Sequence, residues 1–261
     1  MKRWVFLIIM ISGFQALTFA QEAGKEAVSE KEARRNRINA LVKQEEEGVI
    51  VFPRHMAGGF KLTSDGYGGF LEMGLGQSIR KAWLFQIEIV ERKHPREQKF
   101  ELDPSTPPII YRKVNYMYPL RLGVQQQYLL GNKSNKNGIS ITANYGAGIS
   151  LGLIRPYMVE VNKEGKRTFI SFDSDSTLFK GLEFYGGPSF SQGWDKLKLK
   201  PGIFIKSGLR FDYGRYNEML NALEVGLTAE MFAGKIRQMV DVEPSRFFAS
   251  LYVGLVFGRR K

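Results

Sequence analysis

Ile139-Ser140-Ile141-Thr142-Ala143-Asn144-Tyr145-Gly146-Ala147-Gly148-Ile149-Ser150-Leu151-Gly152-Leu153 is the stretch that decides the fold. Every odd position is apolar or aromatic, and every even position is Ser, Thr, Asn or Gly. Side chains of a strand alternate between its two faces, so a period of two describes a two-faced strand and not a helix. At about 3.3 Å per residue such a strand reaches roughly 50 Å, where an ordinary strand has only about 5 to 6 residues. That reach suits a tilted strand that crosses a bilayer and continues past it. One face is bulky and apolar, the other small and polar, as expected for hydrocarbon outside and a narrow polar lumen inside. A soluble sandwich that buries the bulky face would produce the same pattern in one strand, so the rest of the chain has to arbitrate.

Other segments repeat the alternation. Leu223, Val225, Leu227, Ala229 and Met231 are separated by Glu224, Gly226, Thr228 and Glu230. Ile203 to Tyr213 keeps the same sense with two faults, Phe204 and Ser207. Trp83 to Val90 and Tyr116 to Val124 alternate as well, and Pro119, which lacks a ladder donor, predicts a local bulge in the latter. The chain closes with Phe247, Ala249, Leu251, Val253, Leu255 and Phe257 on one face. Short polar connections such as Gly131 to Gly138 and Gly214 to Met219 read as hairpins, and no helical crossover intervenes, so the sheet is antiparallel.

The first twenty residues read as an export signal: Lys2 and Arg3, an apolar run from Trp4 to Ile11, and Thr18-Phe19-Ala20 as a cleavage site before Gln21. The apolar run is too short for a membrane helix, which needs about 20 residues, so any membrane insertion by the mature chain uses strands. Residues 21–47 are rich in Glu, Lys, Arg and Ala with no aromatic, and predict a charged helical or flexible arm. The barrel is expected over 48–261. The absence of Cys rules out disulfides, a thiol nucleophile and Cys-based metal sites. The formal charge of +12 falls to +10 once Lys2 and Arg3 leave. An exported basic protein meets lipid phosphate and lipopolysaccharide before any nucleic acid, so a nucleic-acid partner is not expected.

Eight strand segments can be counted, near Gly58–Gln77, Lys81–Arg92, Lys113–Leu130, Gly138–Leu153, Thr177–Phe190, Leu199–Tyr213, Asn221–Phe232 and Arg246–Gly258. The first changes phase, because Phe60 and Leu62 are even while Leu71, Met73 and Leu75 are odd, with Ser64-Asp65-Gly66 between. A bulge there preserves eight strands; a hairpin gives nine, or ten if Val49 to Phe52 adds one. The expectation is an all-β, closed antiparallel up-and-down transmembrane β-barrel of eight strands, with ten as the alternative.

On these residues the chain resembles the small outer-membrane β-barrel proteins of Gram-negative bacteria, and looks most like uncharacterised barrels of the Bacteroidota. The resemblance covers Gly48 to Lys261 and includes the aromatic-rich ending Leu255-Val256-Phe257-Gly258-Arg259-Arg260-Lys261. In better-known barrels the last residue is itself aromatic and is read by the assembly machinery; here four residues follow Phe257. The resemblance implies periplasmic termini, an outer-membrane location and contact with the barrel-assembly machinery during insertion, and it implies no single activity.

If odd positions of the later strands face lipid, Lys206, Arg210, Asp212, Glu224 and Glu230 point inward. Folding about a turn near Asn217 sets Arg210 opposite Glu224, while Glu72 and Glu88 lie across the first hairpin with Arg121 as their partner. Charges in so narrow a lumen are expected to pair and plug it; two adjacent carboxylates also suggest an acid–base dyad, a weaker alternative. Lys93, Arg96, Lys99 and Arg112, with Tyr111 and Tyr116, suggest a basic aromatic collar for lipid head groups, or an ordinary interfacial girdle. His94 lies in a charged loop without a Gly-x-Ser-x-Gly or comparable signature, and the two histidines, His55 and His94, show no metal-ligand spacing, so neither an enzyme nor a cofactor is expected. The expected role is structural or partner-binding, within the outer membrane or a larger complex of it, with a narrow pore or a lipid-modifying enzyme as alternatives.

Overall fold

The computed structural model describes residues 53–78, 80–101, 107–133, 138–163, 166–174, 176, 185–214 and 218–261. The expected signal peptide, the charged arm and residues 48–52 lie outside the described residues. Twelve strands follow in chain order: β1 Arg54–Thr63, β2 Gly66–Ser78, β3 Lys81–Arg92, β4 Lys99–Phe100, β5 Ile109–Ile110, β6 Asn115–Gly131, β7 Ser140–Pro156, β8 Met158–Lys163, β9 Lys166–Ser171, β10 Lys198–Asp212, β11 Met219–Ile236 and β12 Ser245–Arg260. Eight of them close a barrel in the order β1-β12-β11-β10-β7-β6-β3-β2. Every pairing is antiparallel, and the seam joins the first strand to the last, with His55 across from Arg260 and Thr63 across from Tyr252. Closure leaves no unpaired edge, the condition for crossing hydrocarbon with strands.

The eight-strand expectation holds, but two of its steps do not. Ser64-Asp65 is a hairpin turn and not a bulge: Thr63 pairs with Gly66, and β1 and β2 run back along each other to Arg54 and Leu75. The phase change arises there, because an even number of turn residues reverses the strand while the outward set passes from even to odd numbers. Gly66 is required at the turn, since a Cβ there would lie 1.9 Å from the carbonyl oxygen of Glu91. The second error cancels the first. The expected strand Thr177–Phe190 has no place in the barrel: its residues 177–184 lie outside the described residues, and β7 pairs directly with β10 from Ile154–Lys198 to Ser140–Asp212. Pro119 does not mark a bulge either. It stands in register with Gly152, and the only shift between β6 and β7 lies at Leu129/Gly131.

Polarity is sorted opposite to that of a soluble protein. Each barrel strand exposes a bulky apolar side chain outward: Phe60, Leu71, Ile87, Leu122, Ile149, Ile205, Leu227 and Leu251. Leu227 is 57% and Leu251 61% exposed, whereas a sandwich core would cover both. The intervening positions turn inward and are buried, Glu224 and Arg210 among them. Phe204, a fault by polarity, keeps the inward sense and fills the lumen above Gly123, where a Cβ would lie 2.5 Å from its ring.

At the end that carries the termini the strands are joined by short connections, 79–80, 132–139 and 213–218. The opposite end carries the long ones, and they are knit together. Val114 donates to the Gln238 carbonyl at 2.8 Å, Val240 to Arg112 at 2.9 Å, and Tyr157 to Val114 at 2.9 Å. The β8–β9 hairpin contributes Val159, Val161 and Ile170 to an apolar cluster with Ile110 and Tyr157.

Candidate functional site

The interior charges form two sets. Arg210 of β10 and Glu224 of β11 are direct cross-strand partners, with Nε donating to the carboxylate at 2.8 Å. The same guanidinium donates through Nη2 to Glu72 at 2.8 Å. Because β2 and β10 stand four places apart in a ring of eight, this bridge spans the lumen from wall to wall. Glu224 also receives the Lys206 ammonium at 3.0 Å, the Tyr252 hydroxyl at 2.7 Å and the Asn144 amide at 3.2 Å.

Glu88 anchors the second. It pairs with Lys61 and with Arg121, its direct partner across β3 and β6. Arg121 forks onto Glu230 at 2.8 and 2.7 Å, a planar two-bond grip that lysine cannot make. Glu230 further accepts from Ser150 at 2.7 Å and meets Arg92 at 2.9 Å, and Arg92 in turn holds Asp65 of the β1–β2 turn. Five cations thus face five carboxylates, and apart from Asp65 no side chain among them exceeds 3% exposure. Gln86 lies between the groups, accepting from Lys206 at 2.9 Å and from Gln125 at 2.6 Å.

Apolar side chains close over the charges at both ends. Ala57, Phe70, Leu220, Ala222 and Val256 cluster toward the termini, and Met117, Ile154, Phe232 and Ile236 toward the loops. The charges therefore face one another in a low dielectric, where pairing is strong and loss of one partner is expensive. His55 lies flat over Gly74, where a Cβ would meet its ring at 1.8 Å, and its Nε2 stands 3.5 Å from Glu72.

The structure brings together Glu72, Glu88, Arg121, Lys206, Arg210, Glu224 and Glu230. Asp212 is set apart, at the mouth nearest the termini, with Arg260 and Lys133. Glu72 does not pair with Arg121: it sits across from Gln86 rather than Glu88, and takes Arg210 from the far wall. Lys61, Arg92, Asp65 and Tyr252 were not found from the sequence. Lys61 could have been, since Phe60 and Leu62 flank it and both face out; Arg92 continues the inward series Leu84, Gln86, Glu88, Val90 by one more place.

The proposed collar residues do not form a ring. Arg96, Lys99 and Arg112 are exposed in the connection between β3 and β6, with Arg112 on Asp241 of the β11–β12 connection. Lys93 stands over the Tyr67 ring at 4.6 Å, and Phe100 meets Tyr111 edge to face at 6.4 Å. Tyr116 instead packs on Tyr157, outside the lumen and beneath Arg155, whose guanidinium lies 4.3 Å from its ring. His94 closes its own turn: its Nδ1 accepts from the Arg96 amide at 3.2 Å and its amide donates to Glu97 at 2.8 Å. Partial burial holds its imidazole below the ordinary value, against the pull of Glu97. Among the described residues no three His, Asp or Glu side chains converge as metal ligands.

No protein-family model matches the sequence, and no curated protein matches it. Solved structures do. The chain is similar to Neisserial surface protein A, at 11% identity over 80% of this chain and 95% of that one, with a TM-score of 0.37. It is similar to the N-terminal β-barrel domain of Pseudomonas aeruginosa OprF, at 12% identity over 79% and 98%, with a TM-score of 0.32. It is also similar to Ail, the attachment invasion locus protein of Yersinia pestis in complex with the heparin analogue sucrose octasulfate, at 8% identity over 79% and 97%, with a TM-score of 0.36.

Proposed function

We propose that this protein is an outer-membrane β-barrel, exported by a cleaved signal peptide over 1–20, with a structural or partner-binding role and no catalytic activity. The observation that carries the reading is the reversed polarity of a closed barrel: apolar side chains outward on all eight strands and paired, buried cations and carboxylates inside. In water that arrangement would leave the apolar outer face hydrated, a cost that a bilayer removes, while the desolvated lumen charges are offset by pairing. The lumen is closed to ions, because the paired charges, Phe204 and the two apolar layers leave no continuous aqueous path. Contact with partners then falls to the knitted loops at one end and to the outer surface.

Reconstitution into planar bilayers tests this. The purified barrel should migrate anomalously in gels until heated and should give no steady conductance. Stable unitary channels would overturn the closed lumen and support a narrow pore, and altered lipid A in cells that differ only in this gene would overturn the non-catalytic reading.

A further inference from the structure

The outer wall formed by β1, β2, β3, β6 and β7 carries a groove that runs across the strands instead of along them. One bank is a row of outward side chains from Met56 through Phe85 to Ala147, each in register with the next strand's partner. The other bank runs from Leu71 to Ile149, and backbone around Gly123 forms the floor. The groove has a volume of about 600 Å³. Five strands give four interstrand steps of about 4.8 Å, so it is roughly 19 Å long.

Its course has a direction. Met56 lies two residues from the first residue of β1, while Ala147 lies seven residues from the first residue of β7, so the groove begins at the rim nearest the termini and ends near mid-barrel. With strands tilted about 35–45° from the membrane normal, a groove crossing them descends obliquely. Its length matches a chain confined to one leaflet, whose hydrocarbon is about 15 Å deep, half of a core of about 30 Å. The rim end is cationic. Arg259 is the direct cross-strand partner of Met56, and its side chain is 72% exposed and lies 3.7 Å from Glu218. Arg54, two residues before Met56 and on the same outward face, is exposed as well.

We propose that this wall binds one anionic phospholipid of the leaflet nearest the termini, its phosphate held between Arg54 and Arg259 and one acyl chain lying in the transverse groove. The site rests on the membrane reading above. A cation pair at the head-group level followed by an apolar channel of acyl length matches the two parts of a phospholipid in order and in spacing.

The test uses the full mature chain in vesicles of equal phosphatidylcholine and phosphatidylglycerol, released into detergent and weighed intact with any retained lipid. Wild type should retain one phosphatidylglycerol in preference to phosphatidylcholine. Arg54→Gln with Arg259→Gln should lower that retention about 25-fold, about five-fold for each cation removed near an anionic lipid, and Ala147→Trp, which fills the groove, should lower it without touching the arginines. Equal retention in wild type and both variants, or no preference between the two lipids, overturns the site. Heat-dependent migration of the same samples separates the failures: a barrel that inserts without lipid preference overturns the site alone, and a wild-type chain that never inserts overturns the membrane reading and the site with it.

Discussion

Arg210 and Glu72 face each other from opposite walls of the barrel and are joined across its lumen by two hydrogen bonds of one planar fork. Strands that far apart in the ring share no backbone bond, so this pair ties the cross-section together in a way the ladder cannot. Arg92 and Glu230, on β3 and β11, do the same nearer the loop end.

Removal of the guanidinium should therefore cost more than its two bonds. Arg210→Met leaves buried Glu72 without its counter-charge and Glu224 with Lys206 alone, and is expected to destabilise the barrel by about 3–5 kcal/mol. Urea unfolding in lipid vesicles reads this directly. Adding Glu72→Gln should recover part of the loss, giving a coupling of about 1–3 kcal/mol in a double-mutant cycle. Strictly additive losses would mean that the two side chains do not meet in the membrane.

The outer face makes a depth-dependent claim. Leu227 lies on β11 level with Leu251 and Ser207, near the middle of the wall, whereas Leu130 is next to the end of β6. Both are more than half exposed. Leu227→Arg should cost about 2–4 kcal/mol in vesicles and Leu130→Arg at most about 1 kcal/mol, because a charge near the interface reaches water. On a water-facing surface both substitutions would fall within about 0.5 kcal/mol, so equal small effects would remove the bilayer from the account.

Some of this architecture could be read from the residues and some could not, for identifiable reasons. β7 and β11 carry an apolar residue at each outward place and a small or polar one at each inward place of the stretches quoted above, and the inward sense of Arg210 and Glu224 follows at once from that phase. The β1–β2 hairpin was hidden because its turn is two residues of ordinary polarity, so a reversal of direction and a bulge leave the same trace, a change of phase. Thr177–Phe190 was counted as a strand although Gly186-Gly187-Pro188 interrupt it, and the total reached eight only because one strand was missed where another was added. The transluminal partners were beyond reach for a different reason. Register predicts neighbours such as Arg210–Glu224, but Glu72–Arg210 depends on ring size and on side-chain length across it, which no local pattern encodes.

Tyr157 gives the loop end a pH dependence of known sign. Burial in the cluster with Ile110 and the β8–β9 hairpin raises its phenol to about 12 from 10.0, even though its oxygen accepts the Ile110 amide at 2.7 Å. In the opened hairpin the phenol ionises near its ordinary value, so between those two values the packed form holds a proton that the opened form has lost. The packing is fully stabilised below about pH 10 and weakens as pH rises toward 12. Proteinase K nicking of the hairpin, corrected for the protease's own pH profile with a peptide substrate, should accelerate from about pH 9 to about pH 11.5. Tyr157→Phe should be nicked faster near neutrality, having lost the Ile110 bond, and show a flatter rise.

Arg155, at the end of β7, holds the turn that leads into β10. Its guanidinium donates to the Phe190 carbonyl and, at 3.2 Å, to the Tyr118 hydroxyl, while Trp194 stacks on Tyr118 at 5.6 Å and lies 5.0 Å from the cation. The cation thus clamps Phe190 and Trp194 onto the rim of the barrel without entering its lumen. Arg155→Ala should free that turn, moving Trp194 emission to longer wavelength in a Trp83→Phe background and exposing the turn to protease. The unfolding free energy of the barrel in urea should change by less than about 0.5 kcal/mol, because local opening of a cap draws on a different set of contacts from global unfolding. Arg155→Lys keeps the charge but not the fork, and should resemble the alanine variant more than wild type. A barrel that loses several kcal/mol on the same substitution would show instead that the clamp is part of the wall, and that the loop end and the strands unfold as one unit.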